Sequence, residues 1–216
     1  MNILYYFIKR KSVITFDIFD TLVERKIDNP SDIFHMVGRK ILGDEKAELF
    51  KKDRINAEET ARKFANGLEV NIDDIYMNLK EKYMEKCNIL KQQEIQEEIE
   101  MCMPKEKMVK AFNYAISQKK EVYIISDMYL PKSVIEKILI KCGITGQKEI
   151  YVSCECGMNK ISGKLFQYVI YKNKLQPHQM LHIGDSVKAD CLGAAKSKIQ
   201  FYLISRKNRI GRIIHR

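Results

Sequence analysis

Short apolar, β-rich runs that end at polar or acidic residues recur along this chain, and stretches of helical spacing separate them. Val13-Ile14-Thr15-Phe16 runs into Asp17, Val122-Tyr123-Ile124-Ile125 into Ser126-Asp127, and Met180-Leu181-His182-Ile183 into Gly184-Asp185-Ser186. Ile199 to Leu203 is another such run, and Glu149 to Ser153 a weaker one. Runs this short and this continuously apolar suit strands buried on both faces, as in a parallel sheet. Helical spacing predicts helices over Lys105 to Gln118, over Lys132 to Cys142 with Pro131 ahead and Gly143 behind, over Lys164 to Lys174, and over Val187 to Ser197. The alternation predicts an α/β fold, a Rossmann-like doubly wound parallel sheet. In such a sheet the ligand site lies at the carboxyl ends of the strands.

Residues 26 to 104 interrupt the alternation and read as helical throughout. Asn29-Pro30 opens a helix carrying Ile33, Phe34, Val37 and Ile41 at three- and four-residue spacings, closed by Gly43. The pattern continues through Leu49, Phe50, Ala57, Ala61, Phe64 and Ala65 to Gly67, then through Ile72, Ile75, Tyr76 and Leu79, and ends in the charged run Lys91 to Glu100. The predicted organisation is a core of residues 1 to 25 and 105 to 216, with an all-helical insert at 26 to 104. An insert just after the first strand overhangs the carboxyl ends of the sheet, where a lid belongs.

Hydrophobic residues at 45% and charged residues at 31% exclude a disordered tail or a collagen-like chain. The six cysteines include no C-x-x-C pair, and no signal peptide places them in an oxidising compartment, so reduced thiols in a soluble, cytoplasmic protein are expected. Cys154 and Cys156 form a C-x-C with no second cluster near it and read as strand-end residues rather than zinc ligands. No apolar run approaches the ~20 residues a bilayer requires. Part of the net charge of +10 sits in Lys9-Arg10-Lys11 and in the tail Arg206, Lys207, Arg209, Arg212 and Arg216, with Ile210, Ile213 and Ile214 between. That tail suits peripheral contact with anionic lipid or an acidic partner, though such a tail is more often a solvated terminus; specific nucleic-acid binding is not expected.

The polar residues at the strand ends are chemically complementary: Asp17, Ser126-Asp127, Lys160, and Gly184-Asp185-Ser186 with Asp190. Phosphoryl transfer through a covalent intermediate requires such a set. It needs a carboxylate nucleophile, magnesium against the phosphate charge, a hydroxyl and amides for the phosphoryl oxygens, and a cation beside the nucleophile.

In order and spacing, FDIFDTL (Phe16 to Leu22), ISD (Ile125 to Asp127), Lys160 six residues before Phe166, and HIGDSVKAD (His182 to Asp190) resemble the haloacid dehalogenase (HAD) superfamily. The resemblance implies a HAD core with a helical cap and Mg2+ as cofactor. It makes Asp17 the nucleophile and a metal ligand, the Phe19 carbonyl a second ligand and Asp185 a third, with Asp190 supporting the metal. Ser126 would bind a phosphoryl oxygen, with Thr21 and Asp127 in the same substrate-binding set, and Lys160 would stabilise the charge shared by Asp17 and phosphate. Lys164 competes for that last role, but the spacing to Phe166 favours Lys160. His182, midway along its strand, reads as a core residue rather than an acid or base.

One position departs from the phosphatase pattern. Phosphatases of the superfamily usually carry a second aspartate two residues after the nucleophile, and here that place is Phe19. Asp20 is the obvious substitute, yet in an extended strand it would point away from Asp17; it qualifies only if the chain has already turned. An aromatic residue there is also similar to the metal-free dehalogenases. Asp185 and Asp190, oxygen donors suited to magnesium, favour phosphate chemistry instead. FDIFDTL together with SDMYLP (Ser126 to Pro131) further resembles HAD-like hydrolases of bacterial surface-polysaccharide loci, which implies a small phosphorylated substrate such as a sugar phosphate and a possible glycosyltransferase partner. Arg54, Glu58, Glu59 and Arg62 lie at helical spacings and read either as contacts to the substrate's far end or, more simply, as surface ion pairs. The predicted activity is magnesium-dependent hydrolysis, and its rival is a non-catalytic partner module of a polysaccharide-assembly system.

Overall fold

The protein is described by a computed structural model over residues 3–205; the basic tail from Arg206 to Arg216 lies outside the described residues. Among the described residues there are seven strands: β1 (Val13–Phe16), β2 (Val23–Arg25), β3 (Cys102–Pro104), β4 (Glu121–Ser126), β5 (Glu149–Val152), β6 (Met180–Gly184) and β7 (Gln200–Leu203). Five of them form a parallel sheet in the order β5-β4-β1-β6-β7. Chain order reverses at β1, with β4 on one side and β6 on the other. This is the α/β doubly wound arrangement expected from the alternation, and its crevice lies beyond the carboxyl ends of β1 and β6.

Side chains alternate across the sheet with period two. Ile14, Phe16, Val122, Ile124, Leu181 and Ile183 enter one apolar cluster, while Val13, Tyr123, Ile125, Tyr151 and Met180 enter the other. Helix Glu106–Ser117 covers the first face, where Phe112 meets Phe16 at 5.5 Å between ring centroids. Helix Lys164–Asn173 covers the second through Leu165, Phe166 and Val169. At the N-terminal side a helix, Ile3–Arg10, packs on the first face through Leu4 and Ile8.

Between β2 and β3 lie five helices: Asp32–Leu42, Asp44–Phe64, Ile72–Met77, Lys80–Tyr83 and Lys86–Met101. The stretch predicted as helical throughout ends one step early, because Cys102–Pro104 is extended and pairs antiparallel with Val23–Arg25. Three-residue strands carry no hydrophobic period; they exist here because each supplies the other's backbone partners. The ladder ties both ends of the helical segment to one point beside β1. The long helix buries Ala47, Phe50, Arg54, Ala57 and Ala61, a stripe at three- and four-residue spacing.

Arg54 corrects a sequence reading. It is not a surface ion-pair residue: its guanidinium is wholly buried, forked onto Glu94 at 2.7 Å twice, and close to the rings of Phe34, Tyr76 and Tyr129. Surface pairing holds for Arg62, which donates to Glu58 from Nε and Nη2. Cys154 and Cys156 sit in a short helix, Ser153–Cys156, directly after β5. Among the described residues no helix is long and apolar enough to cross a membrane.

Candidate active site

Asp17 follows the last residue of β1, and its N–H still donates to the Ile183 carbonyl at 2.9 Å, so the sheet itself fixes the carboxylate's base. The chain then turns at once. The N–H groups of Thr21, Leu22 and Val23 all converge on the Ile18 carbonyl, and Asp20 takes a left-handed conformation at φ 58°. Aspartate is among the few non-glycine residues that visit this region readily. The condition set for Asp20 is therefore met: it is not in an extended strand, and its carboxylate has no partner among the described residues. Lys105 Nζ holds its carbonyl at 2.7 Å. Phe19 packs its ring under the Arg25 guanidinium at 4.3 Å, and Glu98 holds that guanidinium in turn.

The structure brings Asp17, Asp185 and Asp190 together, one carboxylate oxygen of each lying within 4.8 Å of the others, all buried. Lys160 Nζ donates to Asp17 Oδ1 and to Asp190 Oδ1, each at 2.6 Å. Lys164, the competing lysine, begins the next helix instead.

Two glycines make this approach possible. A Cβ on Gly184 would lie 2.2 Å from Asp190 Cγ, and one on Gly193 would lie 2.1 Å from the Lys160 carbonyl oxygen. Between them the expected single helix Val187 to Ser197 is split into a π-turn, Val187–Leu192, and a short α-turn, Gly193–Lys196. The wider turn returns Asp190 toward the strand end, where its Oδ2 accepts the Ser186 N–H at 2.8 Å.

His182 is the contributor that sequence reasoning missed. It is a core residue, as expected, fully buried with its ring edge on Phe166, but it also bonds Asp190 Oδ1 through Nε2 at 3.1 Å and Thr15 through Nδ1 at 2.8 Å. Burial lowers its pKa, so the ring is neutral; Nε2–H donating to the carboxylate leaves Nδ1 to accept from the Thr15 hydroxyl. A histidine in mid-strand is indistinguishable by spacing from any core residue.

The remaining candidates divide. Ser126 closes β4 and is buried beside Asp127. The Asp127 carboxylate accepts the Lys160 backbone N–H at 2.9 and 3.1 Å, which fixes the lysine loop. Burial raises the Asp127 carboxyl to about 6. Thr21 is buried and donates to Asp185 Oδ1 at 3.4 Å. The helical segment reaches the same loop: Asn159, next to Lys160, donates through Nδ2 to Glu69 at 3.0 Å, and the Ile72 N–H donates to the Tyr129 carbonyl.

Electrostatically, the Lys160 ammonium bonds two of the three clustered carboxylates, Asp17 and Asp190. Burial pushes the Asp17 carboxyl up to about 7, against the Lys160 charge and helped by the Asp190 and Asp185 carboxylates. Asp190 is held well below the usual range despite its burial, because Lys160 and His182 both bond it. Lys160 is raised by the Asp17 and Asp190 charges and stays protonated. Lys160 pairs with two of the three clustered carboxylates, and the donors gathered there are hard oxygens, the chemistry of a magnesium or calcium site.

Among curated proteins no sequence matches this chain. Solved structures do, at low identity. The Bacillus subtilis HAD-hydrolase YfnB, bound to magnesium, is 19% identical and superposes with a TM-score of 0.62 over 96% of this chain and all of its own. A HAD family enzyme of Bacteroides thetaiotaomicron is 14% identical, with a TM-score of 0.63 over 95% of this chain and 99% of its own. The L-2-haloacid dehalogenase of Xanthobacter autotrophicus is 12% identical, with a TM-score of 0.62 over 93% of this chain and 80% of its own. These likenesses establish the fold. The sequence profile of haloacid dehalogenase-like hydrolases matches residues 11–198, a span that includes every residue of the site. The chain belongs to the haloacid dehalogenase-like hydrolase family.

Proposed function

We propose that the chain hydrolyses a small phosphomonoester, with magnesium, through a phosphoaspartate formed on Asp17. The observation that carries this reading is the gathering of three buried carboxylates at one point, two of them paired with Lys160. Carbon–halogen hydrolysis by a carboxylate nucleophile gives no reason to gather two further carboxylates around it; a divalent cation beside a phosphate does. Asp17, Asp185 and the Phe19 carbonyl would hold the ion, with Asp190 behind them, its oxygens already accepting from Lys160, His182 and Ser186. When bound, magnesium supplies positive charge opposite the phosphoryl oxygens.

In the reaction, an Asp17 carboxylate oxygen attacks phosphorus and the bond to the leaving oxygen breaks. Ser126 and Lys160 bear on the charge that develops. The leaving oxygen takes a proton from Asp20; a water then gives a proton back to the Asp20 carboxylate and attacks the phosphorus of the phosphoaspartate, which breaks the bond to the Asp17 oxygen, releases inorganic phosphate and restores Asp17. The helical segment serves as the lid that excludes bulk water. The residue pattern around Asp17 and Ser126 favours a sugar phosphate as substrate class, with a glycosyltransferase system as the setting.

Phosphate release from an aryl phosphate and a panel of sugar phosphates, with magnesium and with chelator, tests the proposal. Turnover should require magnesium and vanish in Asp17→Asn. Activity on 2-haloacids that survives chelation would instead assign the dehalogenase reaction. Phe19 favours a second reading, a non-catalytic partner module, and turnover no greater than that of Asp17→Asn on every substrate would establish it.

A further inference from the structure

The five strands of the sheet run parallel, so the turns that enter their amino ends lie together on the edge opposite Asp17. Those turns, residues 11–12, 118–120, 142–148, 174–179 and 197–199, lead into β1, β4, β5, β6 and β7. They contain six lysines and no aspartate or glutamate. In sheet order the row reads Lys148, Lys119 with Lys120, Lys11, Lys174 and Lys198, at least one cation at every strand. Neighbouring strands lie about 4.8 Å apart, so the row spans about 20 Å.

Three of these lysines stand where glycine would be easier. Lys119, Lys174 and Lys198 close the helices Glu106–Ser117, Lys164–Asn173 and Gly193–Lys196 in left-handed conformations, at φ 55°, 53° and 59°. Glycine takes this position without steric cost, whereas a Cβ strains it. The helix return into β5 does use glycine, Gly143 at φ 70° and Gly146 at φ 97°. A cation beside a helix C-terminus offsets part of the strain. It does not explain why the charges stay exposed and unpaired. Of the six lysines only Lys148 has a carboxylate partner among the described residues, Glu121 at 2.8 Å. Lys11 and Lys120 hold backbone carbonyls, of His178 and Lys9, which ties neighbouring turns together and leaves the charge in place.

The character of the row distinguishes between polyanions. Lysine ammoniums are point charges without the planar fork of arginine, and the five turns carry no arginine, phenylalanine, tyrosine or tryptophan to clamp phosphodiesters or stack bases. Clustered lysines suit anionic lipid headgroups. The twist of a sheet staggers such a row, and a fluid surface of mobile headgroups accommodates the stagger. Contact at this edge leaves the carboxyl ends of the strands, with Asp17, facing away from the surface.

From the unbroken lysine row and the three lysines held in left-handed turns, we propose that the amino edge of the sheet is a docking surface for an anionic lipid bilayer. This goes beyond the reaction at Asp17 and does not depend on it.

The test is cosedimentation of the full chain with vesicles of about one-third phosphatidylglycerol in phosphatidylcholine, against pure phosphatidylcholine, at about 0.1 M salt. The chain should bind the anionic vesicles and not the neutral ones. Each lysine near such a surface is worth about fivefold in binding, so the triple variant Lys119→Gly, Lys174→Gly, Lys198→Gly should bind about a hundredfold more weakly. Glycine suits all three turns, so this variant should unfold at much the same denaturant concentration as the unaltered chain. A second triple variant, Lys46→Gln, Lys52→Gln, Lys63→Gln, removes the same charge from exposed positions of the helical segment, and should keep the affinity within about twofold. Equal losses in the two triple variants, an unchanged affinity in the glycine variant, or no binding to anionic vesicles would each overturn the proposal. Tighter binding to a duplex oligonucleotide than to the vesicles at the same salt, lost in the glycine variant, would also overturn it and assign the edge to nucleic acid.

Discussion

At the scale of single residues, Phe19 and Asp20 carry the sharpest question. Phe19 cannot transfer a proton, and its ring is committed to Arg25. Asp20 sits one place on, half-buried, in a left-handed turn that asparagine also tolerates. Asp20→Asn should therefore keep the backbone while removing the acid. If Asp20 protonates the leaving oxygen, kcat/KM for an alkyl phosphate should fall by about 10²- to 10⁴-fold, the usual worth of general acid catalysis. An aryl phosphate, whose leaving group needs no proton, should lose far less. Parallel steady-state kinetics on the two esters check this; equal losses would mean that Asp20 only shapes the turn. Sequence named Asp20 but left its direction open, because direction depends on where β1 ends, and that is set by three N–H groups converging on one carbonyl.

At the scale of elements, the buried Arg54–Glu94 pair joins the helices Asp44–Phe64 and Lys86–Met101. Tyr76 donates its hydroxyl to the same glutamate at 2.8 Å, so a third helix hangs on the pair. Arg54→Met leaves Glu94 as an uncompensated buried charge and should cost about 3–5 kcal/mol in denaturant unfolding, whereas Arg54→Met with Glu94→Leu should recover much of that loss. A single variant no worse than the double would show that the pair carries no such charge penalty.

What sequence revealed at this scale follows from range. β1, β4 and β6 were legible because burial on both faces leaves a continuous apolar run. The stripe of the Asp44–Phe64 helix was half-legible: the spacing to Glu58 and Arg62 is local, but Glu94 lies 40 residues on. Charged residues at helical spacing look like a solvated face until the long-range partner is known. β2 and β3 were invisible for the same reason, since each is three residues long and finds its partner across the whole helical segment. The site was more legible than its surroundings. Asp17, Lys160, Asp185 and Asp190 each follow a strand end in a recognisable order, while His182 and the space above Gly184 and Gly193 emerge only from packing.

For the whole molecule, the issue is how the helical segment communicates with the chemistry. The β2–β3 ladder fastens its base, and further contacts tie the segment to the core. Two of these meet the core close to the site: the Ile72 N–H on the Tyr129 carbonyl, three residues past Ser126, and Glu69 on the Asn159 side chain. Asn159 also organises the lysine loop, its Oδ1 accepting the Ser162 N–H and its carbonyl accepting from the Ser162 hydroxyl and the Leu165 N–H. Glu69 is thus linked through one side chain to the loop that carries Lys160. A half-exposed hydrogen bond of this kind contributes only about 0.5–1.5 kcal/mol to stability, so Glu69→Ala should leave denaturant unfolding nearly unchanged. Its effect should appear in catalysis, as a lower kcat/KM for a phosphoester. In a double-mutant cycle with Asn159→Ala, the loss for the pair should fall short of the sum of the single losses, because either substitution alone breaks the link. Strict additivity in the cycle would mean that the helical segment does not act on Lys160 through this link.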